Sequence, residues 1–388
     1  MTDTRPADGS AETMPLTVYW HRKTIAHEPP AGSFKLPSAP FLAVDEPHPD
    51  QPARVENIKA MLESGFGDRA QFESASPASR EALLRVHDGS YVDWLREFSA
   101  DGGGRIDGTT TGANEATYDA ARYAAGTAIA AAEAALSDDE AVPYALARPS
   151  GHHAQPGQPD GFCFFNNAAI AAEAALEAGA ERVAIVDWDV HHGNGTQECF
   201  YDRDDVLYVS VHHDHGAWDP QYHPQEGSLE ETGTGAGEGY TVNVPTPLGI
   251  GDRGYADVFD RLVKPVVTAY DPDLVLVSAG QDPGTADPLG RNVVTRGGFR
   301  ELGRRAQTLA AKASDGRLAI VQEGGYQISH LPFATLGVLE GATGSAVELP
   351  EYGVDDPFAW VDESSGHLPR WIDAAVSHHE TYWPLEES

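Results

Sequence analysis

The residues whose types and spacing best suit chemistry lie in residues 182–197, which read RVAIVDWDVHHGNGTQ. The apolar run at residues 183–186 has the length and the β-branched content of a buried strand. Asp187, Asp189 and His191 follow it in strict alternation, and residues two apart project to the same side of an extended chain. These three side chains are therefore predicted to point together from the carboxyl end of a strand, where open α/β sheets place their ligand sites.

Carboxylates and an imidazole at a strand tip suit a metal ion, because oxygen and nitrogen ligands fit Zn²⁺ among other cations. The alternative is a capped strand end whose polar groups satisfy one another. Asp282 follows a second predicted strand, and parallel strands gather their carboxyl ends at one edge. Asp189, His191 and Asp282 thus predict three ligands with one open position, as in a catalytic zinc site. Water in that position would have its pKa lowered towards neutrality.

Further polar residues follow other predicted strands. His152 and His153 come after one of them, and a histidine near the metal can move a proton from water to a leaving amine. The alternative is that these histidines only cap a strand. Asp187 and Asn194 are suited to fix the tautomer of each histidine. Tyr326 follows two glycines, so its phenol is predicted to reach a substrate carbonyl and stabilise oxyanion charge.

The elements that must position these residues alternate along the chain. Strands are predicted at residues 16–20, 142–148, 183–186, 206–211, 240–244, 274–278 and 318–322. Helices are predicted at residues 54–64, 79–86, 89–98, 115–136, 166–179, 255–270, 298–314, 328–342 and 368–383, and residues 101–114 are predicted to be a glycine-rich loop. This alternation predicts a parallel sheet covered by helices on both faces. Gly193 and Gly195 are predicted to turn the backbone away from the strand tip.

The charge balance is strongly acidic. The 388 residues carry 26 basic against 60 acidic side chains, for a net charge of −34, which disfavours direct nucleic-acid binding. One explanation is attraction of cationic substrates such as lysine-rich tails or polyamines; the other is a solvated surface suited to high salt, as in halophilic organisms. Because the acidic residues are spread along the whole chain, the second is favoured.

Other bulk features point to a cytoplasmic protein. The sequence contains no run of about 18 apolar residues, so no membrane span is expected. Residues 1–15 lack the basic start and apolar segment of a signal peptide and are predicted to be a disordered tail, with residues 16–388 as a single domain. Only Cys163 and Cys199 are present, which fits a reducing compartment.

Six motifs carry a family resemblance. RPSGHHA, GFCFFNN, DWDVHHGNGTQ, SVHH, DPLG and EGGY occur in this order between about residues 48 and 341. They resemble the motifs of zinc-dependent class II histone deacetylases and their prokaryotic relatives, the acetylpolyamine amidohydrolases and histone-deacetylase-like amidohydrolases. The resemblance implies an arginase/deacetylase α/β fold with a central eight-stranded parallel sheet.

The resemblance also implies roles for individual residues. It places Zn²⁺ on Asp189, His191 and Asp282. It makes His153 the general base and acid, with Asn194 behind it. It makes His152 an electrostatic partner, with Asp187 behind it. It assigns polarisation of the substrate carbonyl to Tyr326. It implies a structural potassium site that uses Asp187, Asp189, His191, Ser210 and Val211. It implies an acyl-lysine tunnel lined by Gly161 and Phe162, with Trp218 as the candidate for the second aromatic wall.

Some positions depart from the family pattern. Gln281 stands where the family often has Phe, and Leu289 stands where the polyamine-selective vertebrate member has a Glu gatekeeper. His212, His213 and His215 are suited to a second metal, although a loop near the potassium site is favoured.

The predicted function is removal of acetyl groups from the ε-amine of acetyl-lysine in proteins or peptides. One alternative is an acetylpolyamine or other small acyl-amine deacetylase on the same machinery. An arginase-type dinuclear ureohydrolase is disfavoured, because Asp287 in its Pro-Leu context is a poor match for the further metal-binding carboxylates that such an enzyme needs. A non-enzymatic sensor of acyl ligands would be expected to lack His153 or Tyr326. No membrane partner is expected, and a homo-oligomer is left open.

Overall fold

The computed structural model describes residues 13–106, 109–137, 141–214, 226–347, 349 and 368–385. The strands are β1 (Leu16–Trp20), β2 (Ala70–Ser74), β3 (Gly103–Arg105), β4 (Gly112–Asn114), β5 (Val142–Ala145), β6 (Val183–Asp187), β7 (Val206–His213), β8 (Thr241–Thr246), β9 (Leu274–Ala279) and β10 (Leu318–Gln322). The helices are α1 (Ala53–Phe66), α2 (Arg80–Leu84), α3 (Gly89–Ala100), α4 (Thr117–Ala135), α5 (Asn167–Glu177), α6 (Asn194–Phe200), α7 (Asp252–Val258), α8 (Lys264–Tyr270), α9 (Arg296–Ala313), α10 (Leu331–Thr343) and α11 (Leu368–His379). A π-helical turn, Phe259–Val263, joins α7 to α8.

Eight of the strands form one parallel sheet in the order β2-β1-β5-β10-β9-β6-β7-β8. In β6, Val183 and Ile185 face a core shared with the alanine-rich helices α4 and α5. Ala184 and Val186 face the opposite core, which includes residues of α9 and α10. Because successive strand side chains alternate between faces, this sheet is covered by helices on both sides, as predicted.

Two elements differ from the sequence-based prediction. The eighth strand of the sheet, β2, was not predicted, because its sequence AQFES places only Phe72 among polar and small residues. It is an edge strand that pairs with β1, with Leu16 opposite Ala70, and edge strands need little apolar pattern. The glycine-rich loop at residues 101–114 contains the antiparallel pair β3 and β4.

The order of strands in the sheet brings the predicted site residues close together. The residues predicted to act follow β5, β10, β9, β6 and β7, and these five strands are consecutive neighbours in the sheet. Since all of them run parallel, their carboxyl ends meet along one edge. Within the described part of the chain, every helix is too short or too polar to cross a bilayer. The predicted tail falls mostly on residues 1–12, which lie outside the described residues.

Candidate active site

Asp189, His191 and Asp282 meet at this edge of the sheet. His191 Nδ1 lies 2.9 Å from Asp282 Oδ2 and 3.1 Å from Asp189 Oδ1, and the donor atoms of all three residues lie within 4.8 Å of one another. Both carboxylates are fully buried. Of the His, Cys, Asp and Glu side chains in the described ranges, this is the one group of three or more with metal-binding spacing.

Backbone donors hold the two carboxylates in place. Asp189 Oδ2 accepts the N–H of Gly324 at 2.9 Å, and Asp282 Oδ1 accepts the N–H of Val190 at 2.9 Å. A Cβ atom at Gly324 would lie 2.4 Å from Asp282 Oδ2 and 2.6 Å from Asp189 Oδ2. Gly324, the first glycine of the EGGY motif, is therefore required because its backbone lies close to both carboxylates.

The chemistry of the donors fits a divalent cation. Burial and the neighbouring Asp189 carboxylate raise the pKa of Asp282 to about 8. Burial lowers the pKa of His191, but the charge of Asp282 and the bonds to both carboxylates outweigh it and raise the pKa to about 10. The concentrated negative charge that favours these protons would equally favour a cation. Carboxylate oxygens and imidazole nitrogens are also ligands that zinc binds, and three protein ligands with one open position are typical of its catalytic sites.

His152 is backed by a carboxylate. Its Nδ1 lies 3.1 Å from Asp187 Oδ2, an oxygen that also accepts the hydroxyl of Tyr208 at 3.0 Å. Burial alone lowers the pKa of His152, but the charges of Asp189 and Asp187 outweigh burial and raise it well above the usual value. The carboxylates beside His152 therefore favour its positively charged form.

His153 is backed by an amide. Its Nδ1 lies 2.7 Å from Asn194 Oδ1, and Asn194 Nδ2 lies 3.4 Å from Asp160 Oδ2. An ionised carboxylate only accepts hydrogen bonds, so Asp160 orients the Asn194 amide with its oxygen towards His153. His153 must then carry its proton on Nδ1, which leaves Nε2 free to accept one. Burial, followed by the positive charges of His152 and His191, lowers the pKa of His153 well below its usual value.

Tyr326 lies beside the metal-binding cluster and is almost fully buried. Its N–H donates to Asp287 Oδ2 at 2.6 Å, and its ring meets Phe162 edge to face, with centroids 5.5 Å apart. The Arg54 guanidinium lies 4.7 Å from the centroid of the Tyr326 ring. Burial raises the pKa of the phenol well above its usual value, so the hydroxyl keeps its proton and can donate a hydrogen bond.

Arg54, in α1, is a site residue that the sequence reasoning missed. Its Nε donates to the carbonyl of Gly325 at 2.5 Å, and its second terminal nitrogen donates to the carbonyl of Glu323 at 2.7 Å. It therefore fixes the segment that carries Tyr326. One signal was present in the sequence: Arg54 shares a four-residue spacing with the apolar Ile58, which places the two side chains on the same buried face of the helix.

Glu323 was assigned no role from sequence, although it begins the EGGY motif. It is fully buried, and its Oε2 accepts the N–H of Gly151 at 2.7 Å and of His152 at 3.3 Å. Its Oε1 accepts the hydroxyl of Ser278 at 3.3 Å. Glu323 therefore ties the histidine segment after β5 to β9 and β10.

A narrow cavity leads to His153, His191 and Tyr326. Its lining residues are Phe34, Lys35, Thr110, His153, Gly161, Phe162, His191, Leu289 and Tyr326. Gly161 and Phe162 both adopt left-handed backbone conformations, with φ of 50° and 70°. A Cβ at Gly161 would lie 2.2 Å from the His153 ring, so this glycine lets the cavity wall approach the histidine.

The second aromatic wall among the described residues is Phe34, whose ring centroid lies 5.5 Å from that of Phe162. The sequence reasoning missed Phe34, because the long loop after β1 offers no periodic pattern. Trp218, the sequence-based candidate for this wall, lies outside the described residues.

Gly193 and Gly195 lie where the chain passes from the strand tip into α6. Gly193 caps α6 with φ of −79° and Gly195 lies within that helix, so neither needs a left-handed backbone. A Cβ at Gly193 would lie 2.3 Å from the Tyr208 hydroxyl oxygen, and one at Gly195 would lie 2.3 Å from the Ala154 carbonyl oxygen. The backbone does turn tightly at Gly193, as predicted: its ψ is 66°, and the Asn194 N–H donates to the His192 carbonyl at 2.9 Å across it. Close packing is a further reason for both glycines.

The residues predicted to bind potassium lie on the neighbouring strands β6 and β7 or just beyond the end of β6. Asp187 lies opposite Ser210 in the pairing of β6 with β7, and Val211 follows in the same strand. His212 Nδ1 lies 2.8 Å from Ser210 Oγ, and its Nε2 lies 2.9 Å from the carbonyl of Gly227. Both ring nitrogens of His212 therefore have partners. His212 and His213 belong to β7, paired with Pro245 and Thr246 of β8, and not to the predicted loop; His215 lies outside the described residues.

Comparison with known proteins gives consistent matches. The histone deacetylase domain family matches residues 48–342. "Histone deacetylase 8" of Arabidopsis thaliana is 38% identical over 95% of this chain and 98% of its own length. A "probable deacetylase" of Archaeoglobus fulgidus is 40% identical over 87% of this chain and 94% of its own. The "histone deacetylase-like amidohydrolase" of Pseudomonas aeruginosa is 41% identical over 78% of this chain and 79% of its own.

A solved structure also has a similar fold. The crystal structure of the HDA15 HD domain superposes with a TM-score of 0.80 at 32% sequence identity, covering 96% of both chains. Sequence and fold thus agree over the same part of the chain.

Proposed function

The chain belongs to the histone deacetylase family, and from that premise we propose that it removes acetyl groups from the ε-amine of acetyl-lysine in proteins or peptides. The family and the fold identify it as a hydrolytic deacetylase. The proposal concerns its substrate, its metal and the roles of its residues. The observation that carries it is that His153, Tyr326 and His191, one member of the metal-binding cluster, line the same narrow cavity.

We propose zinc as the metal, held by Asp189, His191 and Asp282. When bound there, zinc would supply a Lewis acid that polarises the amide carbonyl and activates water. The remaining chemistry belongs to side chains of this protein. A structural potassium ion near Asp187, Ser210 and Val211 is a second part of the proposal, as the register of β6 and β7 brings these residues side by side.

His153 is the proposed proton carrier. Its Nε2 is unprotonated at neutral pH, because burial and the positive charge of His152 lower its pKa. It accepts the proton of the attacking water and returns it to the nitrogen of the leaving amine. Asn194 holds Nδ1, and the charged His152 keeps the resting His153 neutral.

Tyr326 is the proposed donor to the substrate carbonyl. Its hydroxyl stays protonated because burial raises its pKa, so it can donate a hydrogen bond that strengthens as oxyanion charge develops. Arg54 restrains the ring and the two carbonyls before it. A fixed donor needs no reorganisation at the moment of reaction.

The cavity walls favour an unbranched acyl-amine. Phe34, Phe162 and Leu289 supply apolar surface along the path to His153, which suits the methylene stem of lysine. Leu289 places no charge against this stem. A polyamine has a similar stem and is the second candidate; the sensor alternative is disfavoured because both His153 and Tyr326 face the cavity.

A turnover panel tests the proposal. We expect an acetyl-lysine peptide to be cleaved with higher kcat/KM than acetylputrescine, with loss of activity on chelation and recovery on adding zinc. Metal analysis of Asp189→Ala should show loss of bound zinc, whereas Asp119→Asn, at an exposed ion pair that does not line the cavity, should retain it. Preference for acetylputrescine would replace the peptide proposal with the polyamine one, and binding without turnover would support the sensor.

A further inference from the structure

We propose that Lys35, at the mouth of the cavity, is a specificity-determining residue. It would favour substrates that carry negative charge where the acylated chain leaves the cavity, and it would disfavour acetylpolyamines, which carry positive charge there. This inference rests on the proposed function, because it assumes that an acyl-amine is hydrolysed at the closed end of the same cavity.

The position of Lys35 is fixed by its neighbour. Phe34 is 7% exposed, and its ring lies 5.5 Å from Phe162 and packs in the same apolar cluster as Tyr326. Lys35 is the next residue, is exposed, and lines the cavity. Its Nζ lies 5.1 Å from the centroid of the Phe34 ring. The buried phenylalanine therefore anchors a cation at the rim of the channel that it lines.

The backbone around Lys35 is also restrained. Glu46 Oε2 accepts the N–H of Lys35 at 3.2 Å and the N–H of Leu36 at 3.1 Å. Further along this loop the Ser38 hydroxyl donates to Asp45 Oδ2 at 2.8 Å. The Glu46 carboxylate thus binds the backbone of the loop, and Lys35 Nζ forms no ion pair with any residue in the described ranges.

Lys35 differs in charge from the rest of the described cavity wall. Phe34, Phe162 and Leu289 are apolar, Gly161 has no side chain, and Thr110 is neutral. The nearby Asp287 is turned inward, where its oxygens accept the N–H groups of Tyr326, Leu289 and Gly290. Among the described residues that line this cavity, Lys35 is therefore the one charged side chain apart from the two histidines at its inner end.

The length of an acyl-amine decides what meets Lys35. With the acetyl group at the closed end, the methylenes of an acetylated lysine fill the apolar channel and its α-carbon emerges at the rim. A peptide places neutral amides there, and a C-terminal acetyl-lysine places a carboxylate there. Acetylcadaverine, which has the same stem, places an ammonium there and brings two positive charges together.

The net negative charge of the chain favours cationic substrates, whereas Lys35 disfavours them. With a net charge of −34, the protein attracts cations at long range. That attraction is screened beyond about 8 Å at physiological ionic strength, whereas charges only a few ångströms apart are screened much less. At the rim the local cation is therefore expected to outweigh the distant acidic surface.

A matched substrate series tests this inference. The three compounds are 6-acetamidohexanoate, 6-acetamidohexanamide and N-acetylcadaverine, which share one acetylated stem and end in negative, neutral and positive groups. For the wild type at about 0.1 M salt, we expect kcat/KM to fall in that order, by about tenfold from first to last. Lys35→Met should reduce this ratio to about twofold, and Lys35→Glu should invert it.

Lys312→Met is the matched control, because Lys312 is an exposed lysine in α9 and its substitution changes the net charge by the same amount. It should keep the wild-type ratio. If Lys35→Met kept that ratio too, or if Lys312→Met reduced it equally, the inference would be wrong. Failure of the proposed function would look different: none of the three compounds, nor an acetyl-lysine peptide, would be turned over by the wild type.

Discussion

His152 and His153 are adjacent in the chain and have ring centroids only 4.0 Å apart, yet their surroundings give them opposite properties. His152 lies against the carboxylate of Asp187, and its pKa is raised. His153 lies against the amide of Asn194, and its pKa is lowered. Burial lowers the pKa of both rings, but the carboxylates of Asp189 and Asp187 outweigh it at His152, whereas His153 has an amide as its hydrogen-bond partner.

The two histidines also act on each other. The positive charge of His152 is the second largest cause, after burial, of the low pKa of His153. A carboxylate fixes a tautomer and adds charge, whereas an amide fixes a tautomer alone. The site therefore provides one constant cation and one neutral base from the same residue type. Exchanging or removing the partners should show whether this division of roles is real.

Removing the base should have the largest effect. His153→Ala deletes the group that moves the proton, and general acid–base catalysis contributes about 10²- to 10⁴-fold, so we expect kcat to fall about 10³-fold. Steady-state turnover of an acetyl-lysine peptide would measure the loss, with zinc content as the control for an intact site. A variant with full zinc and nearly full kcat would contradict the role of His153.

Removing the charge behind His152 should have the next largest effect. Asp187→Asn leaves a hydrogen-bonding group in place but takes away a buried negative charge, so His152 should lose its proton more readily. Substituting a group that orients a metal-site residue costs about 10- to 100-fold in activity. kcat would be compared with that of Asp119→Asn, which removes the same charge at an exposed ion pair. Equal activities would show that the charge on His152 is not needed.

Giving His153 the partner type of His152 should move the pH profile. In Asn194→Asp, a carboxylate stabilises the protonated ring and raises the pKa of His153. Because the base works only when unprotonated, the acidic limb of the kcat/KM profile should move to higher pH, and activity near pH 6 should fall more than activity near pH 8. A profile recorded from pH 5 to 9 would measure the shift. An acidic limb that stays in place or moves to lower pH would show that a carboxylate at this position does not raise the pKa of His153.

The sequence supported much of this site because spacing and strand ends are local signals. Asp189 and His191 follow β6, and the parallel sheet brings Asp282 to them, as strand order predicted, whereas Asp187 lies against His152. Arg54 and Glu323 were missed because their partners are distant in sequence: Arg54 Nε binds the carbonyl of Gly325, 271 residues away. A pattern within a short stretch of sequence does not predict a contact between residues so far apart.

The β2 strand and Phe34 were missed for a different reason. An edge strand with half-exposed side chains carries little apolar periodicity. Phe34 lies in a long loop whose path is set by distant contacts, such as the packing of its ring against Phe162. Tertiary contacts, and not local preference, determine where these segments lie.

Asp160 gives the smallest and most specific test of the two histidines. Its carboxylate orients Asn194 through a long contact of 3.4 Å, so the contribution should be about 0.5–1.5 kcal/mol, or roughly 2- to 10-fold. In Asp160→Asn the new amide can donate or accept, so the orientation of Asn194 is no longer imposed. We expect kcat to fall within that range while KM changes little, and Asp160→Glu to recover part of the loss.

The ratio of kcat to KM separates this role from a purely structural one. Asp160 Oδ1 also accepts the N–H of Gly161 at 2.8 Å, and Gly161 lines the cavity beside His153. If Asp160 served only to shape that wall, Asp160→Asn would raise KM and leave kcat unchanged. A fall in kcat alone would instead mean that His153 depends on the Asp160 carboxylate, which lies two hydrogen bonds away from its ring. The Asp187 carboxylate lies only one hydrogen bond away from the ring of His152.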